Sequence, residues 1–113
     1  MFFEVINMRP STALNTYREQ IRAIILAHHT TNARVFGSVI RNEDTETSDL
    51  DLLVEPTSAT SLMDIGAIRF ELKALLGINV DVVTQNALPD LFWDQIVNES
   101  IPVWKKRNFF TRY

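Results

Sequence analysis

Three acidic residues carry the chemistry this sequence is equipped to do. Asp49 and Asp51 flank Leu50, and Asp81 stands thirty residues further on, between Val80 and Val82. Side chains alternate across an extended strand, so Asp49 and Asp51 would share one face, with Cα atoms about 7 Å apart. Leu50 and Leu52 then point the other way, toward a core, as Val80 and Val82 do around Asp81. If the two strands are neighbours, all three carboxylates meet on one surface. Three carboxylates at close quarters raise one another's pKa unless a cation sits among them. Neither segment contains a lysine or arginine to do this. Magnesium suits such a site, since it prefers carboxylate oxygens together with substrate phosphates. A pair of such ions clamps the attacking and leaving oxygens of an in-line displacement at phosphorus.

Gly37-Ser38 stands ten residues before Asp49. A glycine where a strand turns lets backbone come close to a phosphate and tolerates strained dihedrals. Ser38 adds a hydroxyl, and the free N–H groups of a helical turn starting there suit an anion. Either Gly-Ser or Asp-x-Asp alone is an ordinary turn or cap; the fixed spacing between them is what points to phosphate chemistry. Arg34 and Arg41 flank the Gly-Ser turn, and Arg41 can reach a phosphate.

The elements that must position these residues follow from periodicity. Pro10-Ser11-Thr12 opens a helix with Leu14, Tyr17, Ile21, Ile24, Ile25 and His28 on one face, ended by Thr30-Thr31-Asn32. Ala33 to Phe36 reads as a short strand running into Gly37-Ser38, and residues 39 to 48 as a loop or short helical turn. Leu50 to Glu55 is a second strand, closed by Pro56. Ser61 caps a helix with Leu62, Ile65, Ile68, Leu72 and Leu75 about one face, and Gly77 stops it in the left-handed position. Asn79 to Thr84 is a third strand. Pro89 starts a last helix with Leu88, Phe92 and Ile96 facing inward. The order α-β-β-α-β-α predicts an α/β (α+β) fold, a small mixed sheet flanked by helices. Arg18 and Arg22 read as a solvated basic face, Arg69 and Lys73 as the wet side of the second helix, and His28-His29 as a pair at a helix C-terminus.

Composition bounds the rest. The 113 residues, 46% of them hydrophobic, fit a single domain spanning 1–113. No apolar run approaches the roughly 20 residues of a membrane span. MFFEVINMRP is a poor signal peptide, and there is no cysteine for a disulfide or thiolate site, so a cytoplasmic location with no membrane association is expected. A net charge of −3 argues against direct nucleic-acid binding. The charge is polarised: six acids and no base lie between Asn42 and Glu55, whereas Lys105, Lys106, Arg107 and Arg112 end the chain with no acid. The 29 residues after Thr84 suffice for a helix and a tail but not for an acceptor-binding domain, so a partner protein is expected to supply that wall. The tail VWKKRNFFTRY either forms part of that contact or packs its aromatics on the domain.

The stretch ARVFGSVIRNEDTETSDLDLLVE, with the later INVDVVT strand, resembles the minimal nucleotidyltransferases of the DNA polymerase β-like superfamily. The likeness runs clearly from Ala33 to Thr84. It implies a polymerase β-like fold, ATP as substrate and two Mg2+ ions. By that resemblance Gly37 and Ser38 bind phosphate, Asp49 and Asp51 are catalytic metal ligands, and Asp81 is a metal ligand or activates the incoming hydroxyl. Many relatives place Ala-Arg-Gly after the Gly-Ser-x; here Ile40-Arg41-Asn42 keeps only the arginine, which leaves Arg41 as the nucleotide-binding candidate. The resemblance further implies an antitoxin that neutralises a partner HEPN-domain ribonuclease toxin by AMPylation of a tyrosine. The alternative is an antitoxin that acts by binding alone.

Overall fold

The apolar faces expected of the strands do build the core. In the computed structural model, which describes residues 8–88 and 90–104, Ala33, Val35, Leu50, Leu52, Val54, Val80 and Val82 are all buried on one side of a sheet. Among the described residues four strands form it: β1 (Thr30–Phe36), β2 (Leu50–Pro56), β3 (Val80–Val83) and β4 (Ile101–Pro102). Their order is β3-β2-β1-β4. β1 is antiparallel to both β2 and β4, while β2 and β3 run parallel, so the sheet is mixed. Four α-helices among the described residues accompany it: α1 (Pro10–Thr16), α2 (Arg18–Ala27), α3 (Leu62–Leu76) and α4 (Asp90–Glu99). Leu14, Ile21, Ile25, Ile68 and Leu72 pack from α1, α2 and α3 into the same core. Among the described residues, no helix is long and apolar enough to cross a membrane.

The single first helix expected from Pro10 onward is two helices. The backbone turns at Tyr17 (φ −114°, ψ 24°), which ends α1 and starts α2. The break lets Arg18 turn inward, where its guanidinium donates to the Val103 carbonyl and, at 2.6 Å, to Asn15 Oδ1. Arg18 is therefore buried, and Arg22 lies over the Trp104 ring at 5.9 Å. Arg18 is thus a packing residue and not part of a solvated face, whereas Arg22 stays exposed as expected. A heptad-like pattern cannot reveal this break, because a 3.6-residue repeat survives a one-residue kink.

Thr30-Thr31-Asn32 is also not a terminator. The helix ends at Ala27, His29 takes a left-handed φ of 62°, and β1 begins at once. A bulge between Thr31 and Arg34 absorbs Asn32 at φ 50°, a conformation asparagine tolerates, and its amide donates to Glu55 Oε2 at 2.6 Å.

α3 forms as expected. Ser61 and Asp64 make a reciprocal capping box, and Gly77 ends the helix at φ 68°. Leu62, by contrast, is 90% exposed and takes no part in the core. In α4 no residue is buried among the described residues, and Phe92 is half exposed, against the expectation that it faces inward. Pro89 and the tail from Lys105 lie outside the described residues, as does the N-terminal segment 1–7. β4 carries no sequence signal, since two residues including a proline are recognised as a strand only by pairing at a sheet edge.

Candidate active site

With Leu50, Leu52, Val80 and Val82 committed to the core, the intervening residues of β2 and β3 turn to the other face. The parallel register sets Asp51 directly beside Asp81, and the antiparallel register sets Phe36, the last residue of β1, beside Asp51. Gly37 follows Phe36 and so arrives against the Asp51 carboxylate. Its φ is 78°, and a Cβ built there would stand 2.3 Å from Asp51 Oδ2. Glycine is thus required twice, by the backbone and by the carboxylate that occupies the side-chain space.

Gly37–Val39 forms a 3-10 turn, anchored by the fully buried Val39. The Gly37 carbonyl accepts from the N–H of Ile40 at 3.1 Å, and the Ser38 carbonyl from that of Glu43 at 2.9 Å. Ser38 is partly exposed at the head of this turn. Asp49 stands exposed just before β2, one residue ahead of Leu50.

Burial, first, and then the charges of Asp81 and Asp49 push the Asp51 carboxyl up to about 6, while Arg41 works in the opposite direction. Asp49, Asp81 and Arg41 thus all lie close enough to act on the Asp51 carboxyl. Arg41 is about half exposed, with Nε 3.4 Å from Glu43 Oε2. Arg34 is placed elsewhere: its Nε donates to Ser100 Oγ at 2.6 Å and a terminal nitrogen to the Ser100 carbonyl at 2.9 Å, tying β1 to the turn before β4. On the same sheet face as Asp51, a cavity of about 410 Å³ opens beside Leu53, Glu55, Gln85, Trp93 and Val97.

The donor set suits a hard divalent cation: three carboxylates, of which Asp51 is half-buried and has its pKa raised by burial and then by the charges of Asp81 and Asp49. The notch at Gly37, which a Cβ would fill, admits the Asp51 oxygen. Among the described residues no three His, Cys, Asp or Glu side chains yet converge on a common point.

Sequence reasoning passed over Asp44, which appeared only as one acid in a charged loop. It is 3% exposed, and Oδ2 accepts the Ser11 N–H at 2.9 Å. Arg9 donates to the Asp44 carbonyl at 2.7 and 3.1 Å and lies 3.4 Å from Oδ1. This clamp fastens the loop between Ser38 and Asp49 to the start of α1. Asp44→Ala leaves the Ser11 N–H without its acceptor and removes the Oδ1 contact to Arg9, which keeps the residue-44 carbonyl, and is expected to cost about 2 kcal/mol. For a domain of this size, thermal unfolding should then begin roughly 8 °C lower. An unchanged melting curve would mean that the loop is held by other bonds.

A family model described as polymerase beta, nucleotidyltransferase, matches residues 19–108. The chain belongs to the polymerase β nucleotidyltransferase family. This nucleotidyltransferase is 42% identical over 90 residues to a Methanocaldococcus jannaschii protein named as a candidate protein adenylyltransferase, MJ0435, covering 80% of this chain and 97% of that one. It is 32% identical over 93 residues to the protein adenylyltransferase MntA of Thermococcus cleftensis, covering 75% and 94%. A solved structure described as a candidate minimal nucleotidyltransferase superposes with a TM-score of 0.75 at 34% identity, covering 88% of this chain and 99% of the other. The fold also matches, at a TM-score of 0.61 and 16% identity, a chain from the complex of a tri-AMPylated Shewanella oneidensis HEPN toxin with its MNT antitoxin, covering 82% and 73%.

Proposed function

We propose that the protein is a Mg2+-dependent adenylyltransferase that moves AMP from ATP to a tyrosine hydroxyl of a partner HEPN ribonuclease toxin, and neutralises the toxin by doing so. The observation that carries this reading is the packing of Gly37 against Asp51 with Asp81 alongside in register. Binding alone would not require a glycine notch built around a half-buried carboxylate between two others.

In this reading the Gly37–Val39 turn and the Ser38 hydroxyl hold the triphosphate, and Arg41 supports it from the loop. Asp49 and Asp51, with Asp81 at their side, would hold two Mg2+ ions. Such ions supply charge neutralisation on the phosphates and make the acceptor hydroxyl more acidic. The tyrosine oxygen bonds to the α-phosphorus as the bond from that phosphorus to the pyrophosphate oxygen breaks. The hydroxyl proton passes to a carboxylate of the site and then to solvent. Positioning and electrostatics supply most of the rate.

The acceptor reaches the open sheet face from a separate protein. Leu62, Met63 and Phe70 on α3 and Leu91 on α4 are 74–90% exposed, which supports a partner surface. The same surface also suits an antitoxin that works by binding without turnover. A cytoplasmic location, with ATP, Mg2+ and the toxin at hand and no nucleic acid bound, completes the proposal.

The test is transfer from ATP labelled at the α-phosphate, with Mg2+ and the partner toxin. Label is expected on the toxin, and Asp49→Ala combined with Asp51→Ala should reduce it at least a thousandfold. An unlabelled toxin that is nevertheless silenced would establish the binding-only antitoxin instead.

A further inference from the structure

Arg69 looks, from sequence, like a solvated residue of α3. The fold brings it to the rim of the site by way of the sheet's free edge. The Leu50 N–H donates to the Asn79 carbonyl at 3.0 Å, so in the parallel β2–β3 ladder the odd-numbered residues of β3 turn their backbone toward β2. Val82 then turns its carbonyl outward, and among the described residues β3 is an edge strand. Arg69 reaches around this edge and donates to that carbonyl at 3.3 Å. The same guanidinium nitrogen lies 3.9 Å from Asp81 Oδ1.

Both side chains are about half exposed, 50% for Arg69 and 55% for Asp81. An ion pair so open to water contributes little to stability. What the arrangement does provide is direction. The backbone carbonyl fixes where the cation sits, and the cation favours one position of the carboxylate over the others on an open strand edge.

We infer that Arg69 is a positioning residue for Asp81, fixing its carboxylate at the strand edge beside the Asp49–Asp51 pair as the group that faces the incoming acceptor hydroxyl. This rests on the transferase reading above and narrows it. Asp49 and Asp51 are left as the principal cation ligands, and Asp81 receives the acceptor's proton. A cation beside Asp81 also competes with a divalent ion for that carboxylate. Loss of Arg69 should therefore tighten metal binding while slowing transfer, a pair of opposite effects that a merely structural residue would not produce.

Arg69→Met keeps the apolar stem and removes the charge. AMP transfer to the toxin is expected to fall ten- to a hundredfold in kcat, with KM for ATP within twofold, and Arg69→Lys should recover most of the rate. In an Asp81→Asn background the Arg69→Met effect should vanish, because the residue it positions is gone. Full activity in Arg69→Met, or an equal loss with and without Asp81, would overturn the assignment. Mn2+ affinity, measured by calorimetry without nucleotide or partner, gives a readout that does not depend on transfer. Arg69→Met should bind Mn2+ about threefold tighter; unchanged or weaker binding would refute the positioning role even if the wild-type protein transferred nothing. Should Arg69→Met fold poorly, Arg69→Gln carries the same comparison.

Discussion

Asp51→Asn should abolish AMP transfer, by a thousandfold or more, and yet make the metal-free protein more resistant to heat at pH 8. The carboxyl of Asp51 titrates near 6 in the folded chain, against an ordinary value of 3.8, because it is half-buried and faces Asp81 and Asp49. Between about pH 4 and 6 the folded protein thus holds a proton that the unfolded chain has released. Stability falls as pH rises through that window and stays low above it. A shift of roughly two units would correspond to about 3 kcal/mol for a group wholly shielded from water; the solvent open to this one reduces the effect to about 1 kcal/mol. Asparagine removes the charge and with it the penalty, so Tm in EDTA at pH 8 should rise by about 4 °C. At pH 4, where the folded wild-type carboxyl keeps its proton and no ionised carboxylate is buried, most of the gain should disappear. Added Mg2+ should stabilise the wild-type protein at pH 8 and leave Asp51→Asn unmoved. Differential scanning calorimetry at the two pH values decides this; equal melting temperatures for both proteins at pH 8 would mean that Asp51 bears no buried-charge penalty.

The contrast between Gly37→Ala and Gly77→Ala separates backbone strain from damage to the site. Both glycines have left-handed φ values, 78° and 68°. A side chain at either costs about 1–2 kcal/mol for the backbone alone. At Gly77 the new methyl meets no atom within 4 Å, so that cost is the whole effect. At Gly37 it falls 2.3 Å from Asp51 Oδ2, the far end of a side chain that can swing away. The swing relieves the clash at modest cost in stability but moves the carboxylate from its place beside Asp81 and the phosphate turn. Gly37→Ala and Gly77→Ala should therefore unfold at similar denaturant concentrations. Transfer by Gly37→Ala should drop at least a hundredfold, since a displacement on the order of 1 Å near the chemistry is enough for that, while Gly77→Ala stays within about twofold of wild type. Comparable activity in the two variants would show that the Gly37 notch does not position Asp51.

Much of this site can be read locally. Alternation along Asp49-Leu50-Asp51-Leu52 and Val80-Asp81-Val82 separates core from active face without knowledge of the fold, because a strand's period of two is a property of the backbone. The Gly37-Ser38 spacing to Asp49, the Ser61 cap and the Gly77 stop are equally local, each set by the conformations that a few adjacent residues allow. Other features depend on which parts of the chain come together. That Asp51 and Asp81 are register partners follows from β2 and β3 running parallel with α3 between them, and neither segment encodes this by itself. The break at Tyr17 is settled by Arg18 finding the Val103 carbonyl, 85 residues away. β4 exists because the edge of β1 was there to be paired. Arg69 looked like a solvent-facing charge and Asp44 like one acid among six, since charge in the sequence does not say which backbone groups lie nearby. The residue types and their spacing determined what chemistry the chain is equipped for; long-range packing decided how its carboxylates are arranged and which arginines find the Asp44 carbonyl and the β3 edge.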